Sequence, residues 1–466
     1  MLGPLAEWRH EAFWTLRPGA YVAAVLTVVM LVLAVRLGRR NRRGERHRRG
    51  TLVRRQRRWP RTRPGAAMSG AASVMLAGVR IAAQDETKHF KLIGTTGTGK
   101  STAIRELLGV ALRRGDRALI SDPGGAYLRH FARRYRGDVI LNPFEADSAS
   151  WDLFAELHSD YDAEQLASAL IADSADAATR EWRAYARTFL AAVVRRCRQR
   201  GMHSLAELWR LLAVAPAQEL APLVRGTPAQ PFLDPDNARM FGSIRSVTSS
   251  AIGALEYIEP QRAAPLSVRN WVRAGRGALF IPYRAGQVAA LRSLIAAWIR
   301  LAIFEAMDGP EEVDQRLWFI IDELDALGAI DGLKDALARL RKFGGRCLLG
   351  VQSIAQVSSI YGHGEAQTII ENCGNTLILR CSGSENGGTS QFASRLIGER
   401  EVVRPQRTRA RDRHGAFAGR RSLQVSEQQV LELAVLASEL EQLPDLTGYL
   451  KTASSRQWLR VELQHR

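Results

Sequence analysis

The amino-acid sequence predicts an α/β fold with a predominantly parallel central sheet. Short apolar runs that read as strands alternate along the chain with stretches of helical periodicity, and this alternation is typical of parallel sheets. One run, LWFII at 317–321, contains no polar residue, as expected for a central strand that is buried on both faces. A glycine-rich loop also lies between an apolar run and a helical stretch, and it is the candidate ligand-binding site of the fold.

The glycine-rich loop reads GTTGTGKS over Gly94–Ser101 and matches the pattern G-x-x-x-x-G-K-[S/T] at every fixed position. An expected strand over His89–Ile93 precedes it and an expected helix over Thr102–Arg114 follows, which is the context of a phosphate-binding loop. Glycine lets backbone N–H groups curl around a polyphosphate, and the helix amino terminus adds partial positive charge. The alternative is a Gly- and Thr-rich turn ahead of a helix. The sequence therefore predicts a nucleoside triphosphate site.

Two residues of this loop have specific expected roles. Lys100 is expected to reach the β- and γ-phosphates, and Ser101 to hold Mg²⁺. The residues predicted to bind the nucleotide, ATP, are Gly94, Thr95, Thr96, Gly97, Thr98, Gly99, Lys100, Ser101 and Thr102.

Two expected strands end in polar residues that suit hydrolysis. Asp322 and Glu323 follow the 317–321 run, where Asp322 is expected to hold the Mg²⁺ shell and Glu323 to activate the attacking water. Gln352 follows an expected strand over Cys347–Val351, at the rim where open α/β sheets bind ligands, and its amide is placed to sense the γ-phosphate. Helix capping is the alternative role for these side chains.

A membrane anchor is predicted near the amino terminus. Residues 18–35 form eighteen uncharged positions rich in Val, Leu and Ala, which is enough for a spanning helix. A signal peptide and a buried core helix are the alternatives, but no basic segment precedes the run and arginines follow it. The excess of arginine on the carboxyl-terminal side places the rest of the chain in the cytoplasm.

Positive charge is concentrated in two clusters of a chain of 466 residues with formal net charge +19. Residues 39–63 hold thirteen arginines against Glu45, and residues 404–421 hold seven against Asp412. Such an excess predicts an acidic partner. The first cluster fits contact with anionic lipid beside the anchor, and it also fits a DNA contact.

Residues 147–265 show helical periodicity with few strand signals, which predicts an all-α insertion. Ser204 and Glu207 form a capping-box pattern there. Trp182, Tyr185 and Phe189 recur at helical spacing, and we interpret them as core residues, with base stacking as the alternative.

Further elements are expected on either side of this insertion. Strands are expected at 118–122, 139–142, 277–282 and 376–379, a long helix at 287–307, a basic loop at 404–421 and a helix near 427–441. The cysteines at 197, 347, 373 and 381 lack metal-site spacing, so we interpret them as ordinary thiols in a reducing compartment.

These observations predict seven segments, and there is no internal repeat. In order they are a short periplasmic terminus (1–17), a transmembrane helix (18–37), a basic juxtamembrane segment (38–67), the first part of a nucleotide-binding domain (68–146), the all-α domain (147–265), the second part of the nucleotide-binding domain (266–403), and a basic loop with a carboxyl-terminal tail (404–466).

Five motifs together carry a family resemblance. They are GTTGTGKST at 94–102, RGDRALISDPGG at 114–125, VILNPF at 139–144, FIIDEL at 319–324 and LLGVQS at 348–353. With the helical insertion, they resemble the conjugative coupling proteins of the TrwB/TraD/TraG type. These are membrane-anchored relatives of the RecA-like and FtsK/HerA DNA motors, and the resemblance extends from about residue 89 to 403.

The resemblance implies a RecA-like P-loop ATPase that forms a homohexamer, with a monomeric resting state left open. It implies a bacterial inner-membrane protein that uses ATP to pump DNA, preferentially single-stranded and bound to its relaxase, into a type IV secretion channel. Arg341, in LRKFGG, matches the position of a family arginine finger, with Arg339 as the nearby rival. Without the resemblance, Arg341 reads as a solvated helix-end arginine that favours the helix dipole.

Two departures from the family pattern accompany these motifs. The family commonly has two transmembrane helices where the sequence predicts one, and the carboxyl-terminal tail has no acidic block, so substrate docking is expected on the all-α domain. The alternative functions are an FtsK-like double-strand DNA translocase, a nucleotide-switched platform that recruits protein substrates, and a membrane NTPase that is not a motor.

Overall fold

The computed structural model describes residues 30, 46–56, 73–174, 176–258, 261, 263–312, 315–384, 387–411 and 421–464. The predicted transmembrane helix at 18–37 therefore lies outside the described residues except for Met30, and the basic segment at 38–67 lies outside except for 46–56. Among the described residues, one helix, Ala285–Asp308, is long and apolar enough to cross a membrane. Because 61% of its apolar window is buried inside the protein, we interpret it as a core helix.

The described strands are β1 (Arg46–Gly50), β2 (Val53–Arg55), β3 (Met75–Leu76), β4 (Val79–Arg80), β5 (Phe90–Ile93), β6 (Arg117–Pro123), β7 (Val139–Ile140), β8 (Ser150–Trp151), β9 (Pro265–Leu266), β10 (Ala278–Tyr283), β11 (Leu317–Ile321), β12 (Gly345–Val351), β13 (Asn375–Ile378), β14 (Glu399–Arg411), β15 (Arg421–Leu433), β16 (Thr447–Lys451) and β17 (Trp458–Glu462).

The described α-helices are Ala83–Glu86, Lys100–Arg113, Ala126–Phe131, Asp162–Leu170, Ala177–Gln199, Leu205–Ala213, Ala217–Val224, Ala238–Ile252, Val268–Ala274, Ala285–Asp308, Leu333–Arg339, Ile354–Tyr361, His363–Glu371, Gly388–Ile397 and Ala437–Glu441.

A ten-stranded sheet in the order β2-β17-β16-β13-β5-β12-β11-β6-β10-β7 forms the centre of the protein. The seven strands from β13 to β7 run parallel, whereas β16 is antiparallel to β13 and to β17. This confirms the predicted α/β class with a mostly parallel sheet. Strand β12 lies between β5, which leads into the glycine-rich loop, and β11, which leads into Asp322.

Helices cover both faces of the parallel strands, so their side chains are buried on both sides. On one face, Leu119 and Phe319 belong to a buried cluster that includes the helix Ala285–Asp308. On the other face, Ile120 and Ile320 pack with the helix Lys100–Arg113. All five residues of β11 are buried, as the apolar LWFII run predicts.

The expected helical insertion lies between β8 and β9, which pair in parallel and bring its two ends together. Within 152–258, the described residues form helices and short 3₁₀ turns and no strand. Ser204 caps the helix Leu205–Ala213 by accepting a bond from the Glu207 N–H, which confirms the N-cap of the expected capping box, and the Glu207 carboxylate accepts bonds from Arg210. The domain boundaries themselves stay a prediction.

One buried carboxylate joins the ends of the insertion. Glu156 accepts hydrogen bonds from Trp151 Nε1 at 2.8 Å and from the backbone N–H groups of Val268 at 2.6 Å and Arg269 at 3.0 Å. Ser267 Oγ donates to the same carboxylate at 3.0 Å. With four donors the buried charge is satisfied, and the entry and exit of the insertion are tied together.

The aromatic stripe of the insertion divides into buried and exposed members. Phe189 is fully buried and meets Phe241 edge to face, with ring centroids 5.3 Å apart. Tyr185 is partly buried against the core, and Trp182 is 37% exposed. The core interpretation is confirmed for Phe189, and Trp182 lies at the surface. All four cysteines are buried free thiols.

The chain divides into two compact units, and the smaller one corrects two expectations. Of the described residues, 46–52, 398–411 and 421–434 belong to the smaller unit, and those within 53–397 and 435–464 belong to the larger. In the smaller unit β1, β14 and β15 form an antiparallel sheet in which thirteen residue pairs join β14 to β15. The predicted basic loop is therefore wrong over 404–411 and at 421, and residues 412–420 lie outside the described part of the chain. The predicted helix is wrong over 427–433, since only Ala437–Glu441 is helical.

Opposite charges on neighbouring strands explain why β14 and β15 form a hairpin in place of the expected loop and helix. Glu432 of β15 accepts bonds from Arg400 at 2.8 Å and from Arg404 at 2.6 Å, both on β14. Arg48 of β1 donates to Glu401 at 2.7 Å. An arginine-rich stretch and a Glu/Gln-rich stretch look like a loop and a helix when each is considered alone. As strands of one hairpin they pair favourably.

The difference in burial between Phe189 and Trp182 predicts different losses of stability when each side chain is removed. We expect Phe189→Ala to lower the free energy of unfolding by about 3–5 kcal/mol, because it leaves a cavity in the core. Trp182→Ala, the matched surface control, is expected to cost less than about 1 kcal/mol. Urea denaturation of the full chain in detergent measures both values, and a wild-type transition for Phe189→Ala would contradict the core interpretation.

Candidate nucleotide site

The glycine-rich loop connects the end of β5 to the helix that begins at Lys100. Gly97 and Gly99 adopt φ angles of 78° and 118°, in the left-handed region that favours glycine. A Cβ at Gly99 would lie 2.9 Å from Leu446 Cδ2, so a larger residue would also require the Leu446 side chain to shift. The predicted strand–loop–helix context is thus present.

Lys100 is folded back onto its own loop. Its side chain is buried, and Nζ donates to the carbonyls of Gly94 at 2.6 Å and Thr95 at 3.2 Å. Burial lowers the pKa of Lys100, while the negative charges of Asp322 and Glu323 oppose that shift. Because these carbonyls belong to the loop itself, the ammonium group is held where the phosphates of a bound nucleotide are expected.

Asp322 lies beside Ser101 at the carboxyl end of β11. Its Oδ2 accepts a hydrogen bond from Ser101 Oγ at 3.0 Å and another from the Tyr127 hydroxyl at 2.6 Å. Its Oδ1 is buried and has no hydrogen-bond partner among the described residues. A free carboxylate oxygen beside a hydroxyl suits Mg²⁺, which prefers oxygen ligands and takes only one or two carboxylates next to phosphates. These residues therefore fit the predicted metal role.

Glu323 and Gln352 are joined in a chain of side-chain hydrogen bonds that reaches the loop. Gln352 Nε2 donates to Glu323 Oε1 at 3.0 Å, and Thr96 Oγ1 donates to Gln352 Oε1 at 3.1 Å. Burial, together with the charges of Asp322 and Asp325, raises the pKa of Glu323. A raised pKa makes the carboxylate a stronger base. Glu323 and Gln352 also line an open cleft of about 410 Å³.

Arg341 and Arg339 lie at the opposite end of the sheet. Both precede β12, whereas Gln352 follows it, and both side chains are exposed and make no hydrogen bond or ion pair with the described residues. The seven residues of β12 span about 20 Å at ~3.3 Å per residue. An arginine side chain cannot cover that distance. The structure therefore does not bring Arg341 to the loop of its own chain, and a role at a nucleotide requires another chain.

Two further residues have distinctive surroundings that no local sequence signal indicates: one lies beside Asp322, and the other lies at the opposite end of β5 from the loop. Tyr127 follows the DPGG motif, and His89 immediately precedes β5. The His89 ring is buried between Leu337 O, at 2.8 Å from Nε2, and the Cys347 N–H, at 3.0 Å from Nδ1. It thereby links the start of β5 to the segment that carries Arg341. A buried histidine is identified only by its surroundings, which sequence spacing does not reveal.

Comparison with known proteins identifies the family. The family model of the type IV secretion-system coupling protein DNA-binding domain matches residues 73–464. The chain belongs to this family. It is 28% identical over 404 residues to the coupling protein TraD of Escherichia coli K12, a match that covers 84% of this chain and 55% of TraD. The chain thus spans about half the length of this relative.

Solved structures of the plasmid coupling protein TrwB share the fold. TrwB in complex with the non-hydrolysable ATP analogue ADPNP is 31% identical, with a TM-score of 0.78 over 91% of this chain and 95% of that one. TrwB in complex with ADP and Mg²⁺ is 32% identical, with a TM-score of 0.75 over 86% of this chain and 90% of that one. The resemblance inferred from the sequence motifs is confirmed.

The environment of His89 makes stability depend on pH. Burial, with the charges of Arg341 and Arg346 nearby, lowers the pKa of His89 to about 4 in the folded chain, against 6.5 ordinarily. As the pH falls from 7 to 5 the unfolded chain gains a proton that the native chain does not. We therefore expect this histidine to account for a loss of about 2 kcal/mol in unfolding free energy over that range.

Urea denaturation at pH 7 and pH 5 measures that loss. Carboxylates titrate in wild type and variant alike, so the comparison isolates the histidine. His89→Gln should be less sensitive to this pH change than wild type, whereas His363→Gln, at an exposed position, should match wild type. Equal sensitivity in wild type and His89→Gln would contradict the assigned shift.

Proposed function

We propose that this chain is a membrane-anchored ATPase that couples a relaxase–DNA substrate to a type IV secretion channel and pumps DNA during conjugative transfer. One observation carries the proposal: Lys100, Ser101, Asp322, Glu323 and Gln352 converge at one edge of the sheet in a member of the coupling-protein family. The TrwB complexes with ADP and Mg²⁺ and with an ATP analogue support ATP and Mg²⁺ as the ligands.

ATP binding replaces hydrogen bonds that the glycine-rich loop makes within itself. Backbone N–H groups of the loop and the amino terminus of the helix Lys100–Arg113 surround the phosphates. Lys100 exchanges the carbonyls of Gly94 and Thr95 for the β- and γ-phosphate oxygens. Ser101 and Asp322 would hold Mg²⁺, which would neutralise charge on the phosphate oxygens.

Glu323 supplies the base. Water attacks the γ-phosphorus as the bond to the bridging oxygen breaks, and the water proton passes to the Glu323 carboxylate. The hydrogen bond from Gln352 to Glu323 Oε1 lowers the pKa of that carboxylate, so its release makes Glu323 a stronger base. Released, the Gln352 amide contacts the γ-phosphate. The Thr96–Gln352–Glu323 chain thereby makes activation of the base depend on an occupied loop.

Arg341 completes the site of a neighbouring subunit. Its position at the amino end of β12, far from its own loop, suits action across a boundary between copies. A guanidinium group that reaches the γ-phosphate of the next subunit stabilises the charge of the transition state. This arrangement requires an oligomer when active, and the family resemblance favours a homohexameric ring, with a monomer as the alternative resting state.

The remaining parts of the proposal rest on the amino-terminal sequence and the family. Residues 18–37 anchor the chain once in the bacterial inner membrane, and the arginines that follow keep the bulk of it in the cytoplasm. DNA, preferentially single-stranded, is the transported polymer, and the relaxase and the secretion channel are the protein partners. The family description as a DNA-binding domain supports the choice of DNA.

ATP hydrolysis by the full chain in detergent is expected to rise on addition of single-stranded DNA. Lys100→Ala should reduce hydrolysis by about 100-fold or more, because the phosphates lose a positioned charge. The stimulation should weaken as salt increases, since phosphate contacts release counterions. Phosphate release measured with single-stranded, double-stranded and no DNA is the test.

The three DNA conditions separate the proposal from its alternatives. Stimulation by double-stranded DNA alone would favour an FtsK-like translocase. Hydrolysis indifferent to any DNA would contradict the motor and favour a nucleotide-switched platform for protein substrates.

The shared site can be tested by mixing variants. Glu323→Gln and Arg341→Ala should each be inactive, but in a random equal mixture about a quarter of the interfaces combine an intact Glu323 with an intact Arg341. We therefore expect the mixture to regain about that fraction of wild-type hydrolysis. Arg339→Ala is the matched control and should hydrolyse ATP by itself. An inactive mixture, or an inactive Arg339→Ala beside an active Arg341→Ala, would remove Arg341 from the role.

A further inference from the structure

We propose that Tyr127 is a positioning residue for the metal site and acts by orienting the Asp322 carboxylate. The inference rests on the proposed function, because it concerns the same Mg²⁺–nucleotide site. It assigns a role to a residue outside the phosphate loop and outside the strand that carries Asp322.

Two donors converge on one oxygen of Asp322. The Tyr127 hydroxyl donates to Oδ2 at 2.6 Å and Ser101 Oγ donates to the same oxygen at 3.0 Å. The other oxygen, Oδ1, is buried and has no partner among the described residues. The carboxylate therefore has one saturated oxygen and one oxygen free for the metal or its bound water. Without the Tyr127 bond, only Ser101, itself expected to bind the metal, would hold the carboxylate.

Tyr127 is itself held rigidly. Its side chain is 1% exposed and belongs to the buried cluster beneath the helix Lys100–Arg113. Its backbone N–H donates to Asp122 Oδ1 at 3.1 Å, and the next N–H, of Leu128, donates to Asp122 Oδ2 at 2.7 Å. Asp122 lies near the end of β6, the strand that pairs with β11. The phenol is therefore fixed to the strand beside Asp322.

A side chain that hydrogen-bonds to a metal-binding carboxylate changes the affinity of the site for the metal. Groups that hydrogen-bond to a metal ligand fix its orientation, and losing one typically weakens metal binding by about 10- to 100-fold. A buried phenol that only satisfied its own hydroxyl would affect stability and leave metal affinity alone. Metal affinity therefore distinguishes a positioning role from a purely structural one.

The test is Mn²⁺ binding to the full chain in detergent, with saturating ADP, followed by electron paramagnetic resonance. Tyr127→Phe removes only the hydroxyl and is expected to weaken Mn²⁺ binding about tenfold or more. ADP binding measured in chelator should stay within about twofold of wild type, which shows that the variant is folded. Tyr361→Phe is the matched control, because its buried hydroxyl bonds to the backbone of Ile330 and not to Asp322, and it should bind Mn²⁺ as wild type does.

A double variant isolates the path through Asp322. Asp322→Asn should weaken Mn²⁺ binding, and adding Tyr127→Phe to it should weaken binding no further, because the effects of coupled residues do not add. Wild-type Mn²⁺ affinity in Tyr127→Phe, or full additivity in the double variant, would overturn the proposal. If the wild-type chain bound ADP without Mn²⁺, the proposed metal site would fail, and the role of Tyr127 with it.

Discussion

The parallel register of β5, β12 and β11 is the constraint on which the candidate site depends. Val351 pairs with Ile93 and Leu349 with Ile321, so the three strands end at the same edge of the sheet. The loop after β5, the glutamine after β12 and the two carboxylates after β11 therefore meet, although more than two hundred residues separate the first from the last. Helices on both faces bury these strands, and that burial holds the register against slippage.

Polar groups at this edge are mostly satisfied by one another. Lys100 bonds to the carbonyls of its own loop, and Glu323 is tied through Gln352 to Thr96. Burial disfavours the charged form of either group. It therefore lowers the pKa of Lys100 and raises the pKa of Glu323. Asp322 Oδ1 and Asp325 Oδ1 are buried oxygens here that have no hydrogen-bond partner among the described residues. In the proposed function, the nucleotide and Mg²⁺ replace some of these existing hydrogen bonds.

Sequence reasoning succeeded where the signal was local and failed where it depended on a distant partner. The glycine-rich loop and the strand before Asp322 each carry their pattern within about ten consecutive residues, and both formed as predicted. Residues 404–411 did not form the expected loop, because they pair in register with β15, where Arg404 donates to Glu432. Tyr127 and His89 were missed for the same reason. Their partners, Asp322, Leu337 and Cys347, lie roughly two hundred or more residues along the chain.

By itself, the sequence determined the α/β class, the phosphate loop, the acidic strand end, the helical insertion and the family, since each depends on residue types at short spacing. Only the tertiary structure decided which groups share a hydrogen bond. It joined Glu323 to Gln352 and Thr96, placed Tyr127 on Asp322, and put Arg341 at the far edge from its own loop. The physical reason is that strand order and side-chain direction set these distances. Both arise from packing across the whole sheet, which no local stretch of sequence contains.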